Sequence, residues 1–211
     1  MKKTTIIIMI ILITSILIGI YFYPQMPDRI ASHWNSKGEV DDYMSKFWGL
    51  FLFPAIIKLM LWMYLLIPKI DPLKKNIQKF RKHFDGMIIM FALFLFYIYI
   101  LVIIWNLGHE FDMESYMLPA LGLLFFYIGI VVEHAKRNWF IGIRTPWTLS
   151  SDNIWNKTHK LGGKLFKISG VIAFLGILFN EFAIWLGIGP IILSVLYLFL
   201  YSYFEFKKEN K

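Results

Sequence analysis

Six long apolar runs, almost free of charge, constrain this chain more than any other feature. They cover residues 4–23, 47–67, 86–107, 116–132, 165–180 and 183–204. At ~1.5 Å of rise per residue, each is about long enough to cross a hydrocarbon layer of ~30 Å. Inside lipid the backbone must satisfy its own hydrogen bonds, and runs of this length do so as helices. The expected fold class is all-α: a polytopic membrane helix bundle of about six transmembrane helices. Little chain is left for a soluble catalytic domain.

The loops between the runs alternate in basic content. With both termini inside, the cytoplasmic segments carry 17 Lys and Arg residues and the outer ones three, Arg29, Lys37 and Lys46. Such a bias predicts a multi-pass protein of the cell membrane with both termini cytoplasmic. The formal charge of +8 is then a topological signal. Its cations are divided among short loops, so direct nucleic-acid binding is not expected. Acids sort the other way, with Asp28, Glu39, Asp41, Asp42, Glu110, Asp112, Glu114 and Glu181 outside. An acidic outer face attracts cationic solutes or peptides over about a Debye length; alternatively, acids are simply tolerated there. Trp34, Trp48, Trp105, Trp139, Trp147 and Trp155 fall near run ends or in loops, as in an aromatic belt. The absence of cysteine excludes disulfides, thiolate metal sites and cysteine nucleophiles. The first run follows Lys2 and Lys3 but is too long for a signal peptide, with no small-residue cleavage site, and is expected to stay as an anchor.

The first outer loop, residues 24–46, is too polar and too patterned for a bare connector. Pro24 and Pro27 stop the first helix, and Ser36-Lys37-Gly38 is a turn signal. Ile30, Trp34, Val40 and Tyr43 can pack toward the bilayer, while His33, Asn35, Glu39, Asp41 and Asp42 offer polar ligands. The loop is expected to cap the bundle, either as a recognition element or as a device that orients the first two spans. In the fourth loop, Thr145 is pushed to extended backbone by Pro146. Ser150 or Ser151 can cap a helix with Asp152 in its first turn. Ile154, Trp155, Thr158 and Leu161 then recur at helical spacing, and Lys157 and Lys160 can face the phosphates of membrane lipids. An inner, interfacial amphipathic helix leading into span five is expected, with Gly162-Gly163 permitting close packing or a bend.

The fourth loop also carries a resemblance. Asn138-Trp139-Phe140-Ile141-Gly142-Ile143-Arg144-Thr145-Pro146-Trp147-Thr148, followed by Trp155, Thr158, His159, Gly162 and Gly163, resembles the SdpI family. These are immunity proteins that protect bacteria from sporulation-delaying toxic peptides. Pro27, Ile30, His33, Trp34, Asn35, Gly38, Tyr43 and Lys46 resemble the companion domain of unknown function often found upstream. The resemblance implies an upstream region at residues 1–67 and an SdpI-like region at 68–211. It implies resistance to a secreted membrane-active peptide toxin, and in some relatives recruitment of a cytoplasmic transcriptional repressor. His33, Trp34, Asn35, Arg144, Thr145, Pro146, Trp147 and His159 are the expected toxin- or partner-recognition residues.

Lys58 is the one full charge deep within a span. A central lysine costs about 2.5–3.5 kcal/mol on insertion scales and usually faces the bundle interior. It is expected to form an intramembrane polar site, either a functional cation or one hydrated within the packing. Metallohydrolase, P-loop and serine-hydrolase motifs are absent from the sequence. Glu133, His134, Asp152 and His159 can in principle converge near the inner surface. Neither cofactor nor metal is expected, and no residue is assigned a catalytic role. A transporter or channel subunit, suggested by Lys58 and Pro54, and a membrane hydrolase are the competing readings.

Overall fold

A computed structural model describes residues 3–35 and 38–210, and within them all side chains but those of Asn180 and Glu181. Lys2, Ser36, Lys37 and Lys211, and the Glu181 side chain, lie outside the described residues. In chain order the elements are α1 (Lys3–Phe22), a 3-10 turn (Tyr23–Gln25), β1 (Arg29–Trp34), β2 (Val40–Ser45), α2 (Lys46–Ile70) and α3 (Lys74–Lys79). There follow α4 (Arg81–Asn106), α5 (Met113–His134), α6 (Pro146–Ser150), α7 (Asp152–Gly176), a second 3-10 segment (Ile177–Phe182) and α8 (Ala183–Glu209). Six of these helices are long and apolar enough to cross a membrane: Lys3–Gln25, Lys46–Ile70, Arg81–Asn106, Met113–His134, Asp152–Phe179 and Ala183–Glu209. The protein is an all-α, multi-pass membrane helix bundle.

The chain divides into two compact units. The first takes Met1–Tyr64 and Ile88–Met117. Its core gathers Met26, Ile30, Leu50, Tyr99, Val102 and Ile103. The Tyr99 hydroxyl donates to the Ser15 carbonyl at 3.0 Å, and a Cβ on Gly19 would lie 2.9 Å from that hydroxyl. A small residue on α1 therefore lets α4 come close, the usual device where lipid supplies no hydrophobic drive between helices. The capping loop is an antiparallel β-hairpin, with Ile30 opposite Met44 and Ala31 opposite Tyr43. Ile30 packs against Gly49 of α2, where a Cβ would meet it at 2.9 Å. The Asn106 side chain, at the last residue of α4, exchanges two hydrogen bonds with the Ala31 backbone, at 2.8 and 3.1 Å. It occupies the edge of β1 as a neighbouring strand would, so that edge is not left open.

The second unit takes Leu65–Met87 and Leu118–Lys211. Gly122 and Gly129 of α5 meet Gly170 and Gly163 of α7, one heptad apart on each helix. A Cβ on Gly122 would sit 2.6 Å from the Gly170 carbonyl, and one on Gly163 would sit 2.9 Å from that of Gly129. The amphipathic segment expected before span five is present and runs into that span as one helix. Gly162-Gly163 serve close packing within it. Its buried positions, Ile154, Trp155, Thr158, His159, Gly162, Gly163 and Phe166, form one stripe along its first half.

Lys58 departs from its expected interior place. On α2 the buried positions are Gly49, Leu50, Pro54, Ile57, Tyr64 and Ile67, those from Leu50 onward spaced by three, four or seven residues, whereas Lys58 is exposed, as are Ile56 and Leu59. One residue past Ile57 is a rotation of ~100° about the helix, which turns the ammonium off the core stripe. Lys58 makes no hydrogen bond or ion pair among the described residues.

Candidate functional site

The Asn138–Thr148 loop has no regular backbone ladder, so its polar groups are satisfied by side chains. Asn138, fully buried, uses its whole amide. The Nδ2 donates to the carbonyls of Lys136 and Ile141, both at 2.8 Å. The Oδ1 accepts from the backbone N–H of Phe140 and Ile141 at 2.9 and 2.7 Å. Asp71, 1% exposed, accepts from Trp139 N–H at 3.0 Å and from Leu73 N–H at 2.6 Å. The connection after α2 is thereby pinned to the loop. Asn76 of α3 adds a 2.8 Å bond to the Arg137 carbonyl.

The loop then turns through Gly142 at φ +114°, in the left-handed region that favours glycine. A side chain there would also collide with the His159 ring. His159 is 1% exposed. Its Nδ1 donates to the Trp155 carbonyl at 2.8 Å, and its Nε2 accepts from Ile143 N–H at 3.0 Å. This pairing holds the neutral Nδ1–H tautomer, with no nitrogen left for catalysis or a metal. Trp155 stacks on the imidazole at 3.8 Å and donates Nε1–H to the Ala135 carbonyl at 2.8 Å.

Beyond this point Thr145 caps α6 reciprocally with Thr148. The Thr148 N–H donates to Thr145 Oγ1 at 3.1 Å and the Thr145 N–H to Thr148 Oγ1 at 2.9 Å, with Pro146 at the favoured first helical position. Thr145 Oγ1 also bonds Ser202 of α8 at 3.0 Å, and Trp147 packs on Phe199 and Tyr203. Arg144 differs from its neighbours. Its Nη1 donates to the Trp139 carbonyl at 2.6 Å, while the side chain is exposed and its other donors have no partner among the described residues.

Acids near the end of α8 hold α7. Glu205, 7% exposed, takes Lys157 at 2.8 Å and Lys208 at 2.9 Å. Glu209 accepts from Ser151 and Asn153. Lys157, expected to face lipid phosphate, is thus paired with Glu205 while its side chain remains exposed.

Arg144, Thr145, Pro146, Trp147 and His159 therefore share one locus. His33, Trp34 and Asn35 belong to the other unit. His33 lies 2.6 Å from Asp41, Trp34 stands edge-on to Trp105 at 5.5 Å, and Asn35 clamps the hairpin turn through Glu39. The convergence considered for Glu133, His134, Asp152 and His159 does not occur. Glu133 pairs with Lys167 at 2.6 Å, His134 stacks on His83 at 4.0 Å, and Asp152 pairs with Arg137 at 2.7 Å. Among the described residues no three such side chains are grouped to hold a metal. Asp71, Asn76, Glu205 and Glu209 escaped the sequence reading. The available signal was sign: Asp71 is a lone acid among Lys69, Lys74, Lys75 and Lys79, and Glu205 and Glu209 flank Lys207 and Lys208.

Known proteins divide the chain along related lines. Residues 10–57 match a domain of unknown function (DUF1648), and residues 134–202 match the SdpI/YfhL protein family. The chain is 26% identical over 209 residues to Immunity protein SdpI of Bacillus subtilis (strain 168), covering 99% of this chain and 98% of that protein. No solved structure matches. The stretch similar to the SdpI/YfhL family, His134 to Ser202, holds the Asn138–Thr148 loop, α6, α7 and most of α8.

Proposed function

We propose that this is a membrane immunity protein, with both termini cytoplasmic, that protects its cell from a secreted membrane-active peptide toxin. One observation carries the reading: the end-to-end similarity to an immunity protein, which includes both the hairpin region and the loop site. The site's chemistry is compatible with it. The loop is held rigid by Asn138, Asp71 and His159, and it presents an exposed, once-bonded Arg144. That arrangement suits recognition of a carboxylate, a carbonyl or a phosphate. The His and acid side chains nearby are engaged in structural pairs, which supports protection without catalysis. The finer part of the proposal is that the basic cytoplasmic loops also hold a cytoplasmic transcriptional repressor when toxin is present.

The test is survival of a toxin-sensitive host expressing the chain, challenged with a sporulation-delaying peptide and normalised to membrane protein level. Protection is expected. Full sensitivity at normal membrane abundance overturns the immunity reading, and solute flux into vesicles would favour the transporter instead. Repressor recruitment is scored separately, as toxin-dependent membrane association of the repressor.

A further inference from the structure

α3, the Lys136-Arg137 segment that follows α5 and the start of α7 line a half-open polar cavity of about 260 Å³, bounded by Asn76, Lys79, Lys136, Arg137, Asp152 and Asn156. Its charges divide into two sets. Arg137 and Asp152 neutralise each other at 2.7 Å, and Arg137 is further fixed by donating to the Leu149 carbonyl at 2.8 Å. Lys79 and Lys136 make no hydrogen bond or ion pair among the described residues, and the Asn156 amide is likewise unengaged. The cavity therefore offers two uncompensated ammonium groups and a free amide around a space that the Arg137–Asp152 pair keeps in shape.

The level of the cavity indicates the source of an anion. Lys79 lies two residues before the apolar span Arg81–Asn106, Lys136 two residues after Met113–His134, and Asp152 begins Asp152–Phe179. Three spans begin or end at the cavity wall, which places it in the headgroup layer. Cations at that level attract anionic headgroups, and a lysine ammonium takes a phosphate as a compact charge. We propose that this cavity is a binding site for the phosphate of an anionic phospholipid headgroup. The site is separate from Arg144 and from toxin protection, so either reading can fail alone.

The experiment uses the full chain in nanodiscs of phosphatidylcholine with graded phosphatidylglycerol, reading thermal stabilisation and lipid retained in native mass spectra. Wild type is expected to retain and be stabilised by phosphatidylglycerol. K79Q/K136Q should lose that preference by about tenfold or more in apparent affinity, since each juxtamembrane cation is worth about 1 kcal/mol. K79R/K136R should keep it. K69Q/K207Q, which removes the same charge near span ends but outside the cavity, should stay near wild type. An undiminished preference in K79Q/K136Q, or an equal loss in K69Q/K207Q, overturns the site. Stabilisation by inorganic phosphate in pure phosphatidylcholine, abolished by K79Q/K136Q and without any effect of phosphatidylglycerol, overturns the lipid source and assigns the cavity to a soluble phosphate.

Discussion

At the scale of single residues, the loop site depends on buried acceptors more than on its basic residues. Removing Asp71 leaves the N–H groups of Trp139 and Leu73 unpaired in a part-buried place, at a cost of at most about 1–3 kcal/mol each. Asp71→Ala is expected to lower the unfolding temperature in detergent and to expose the 136–150 loop to protease, whereas Asp71→Asn, which keeps one acceptor, should lose less. Equal stability of the two variants would contradict the pairing. Arg144 is the opposite case, exposed and bonded once. Arg144→Lys should leave membrane abundance unchanged yet reduce survival under toxin, because an ammonium cannot reproduce the planar two-pronged contact. Full protection by Arg144→Ala would remove Arg144 from the recognition surface. Lys58, turned off its helix's core stripe, is expected to behave differently again. Lys58→Met removes an insertion cost of about 2.5–3.5 kcal/mol, so membrane abundance should hold or rise. A drop in survival at that abundance would show that the outward cation meets a partner, and unchanged survival would show that the chain merely tolerates it.

At the scale of elements, the crossing of α5 and α7 is set by what is missing from their side chains. A Cβ on Gly163 would lie 2.7 Å from the Glu133 Cβ and 2.9 Å from the Gly129 carbonyl. Gly163→Leu should force the helices apart and cost at least the ~1–3 kcal/mol typical of overpacking, read as lowered abundance and an earlier melt. Gly189 of α8 provides the contrast, since a Cβ there meets nothing within 4 Å. Gly189→Ala should stay within ~0.5 kcal/mol of wild type. Equal damage from both would mean that glycine content matters for a reason other than the crossing. The α7 helix also shows how one pattern admits two structures. Ile154, Trp155, Thr158 and His159 form the amphipathic stripe that the spacing predicts. What the stripe meets is protein, through Ala135 and Ile143.

At the scale of the whole molecule, the charge bias of 17 cations against three makes a topological prediction. A reporter active only outside the cell should score when fused within residues 108–114 and stay silent at 75–80, at 150–155 and after Lys211. A strong outside signal from the 150–155 fusion would reverse the orientation. The number, length and order of the spans were legible because hydropathy is a local, additive property that lipid reads directly. Turn chemistry was legible for the same reason: Pro146 and Thr145 announce a helix start wherever they are placed. Long-range pairing had no such local sign. That Asp71 would reach Trp139, 68 residues on, that Asn106 would close the edge of β1, and that His159 would spend both nitrogens on backbone all depend on which surfaces meet. So does the direction of Lys58, since a rotation of ~100° per residue separates core from exterior on the same helix. The sequence by itself determined a six-span membrane chain with a stiff, proline-stopped loop. The tertiary structure alone decided which polar groups were consumed in holding that loop and which, like Arg144, Lys79 and Lys136, were left to act, because satisfaction of a buried hydrogen bond is a property of two partners and their distance.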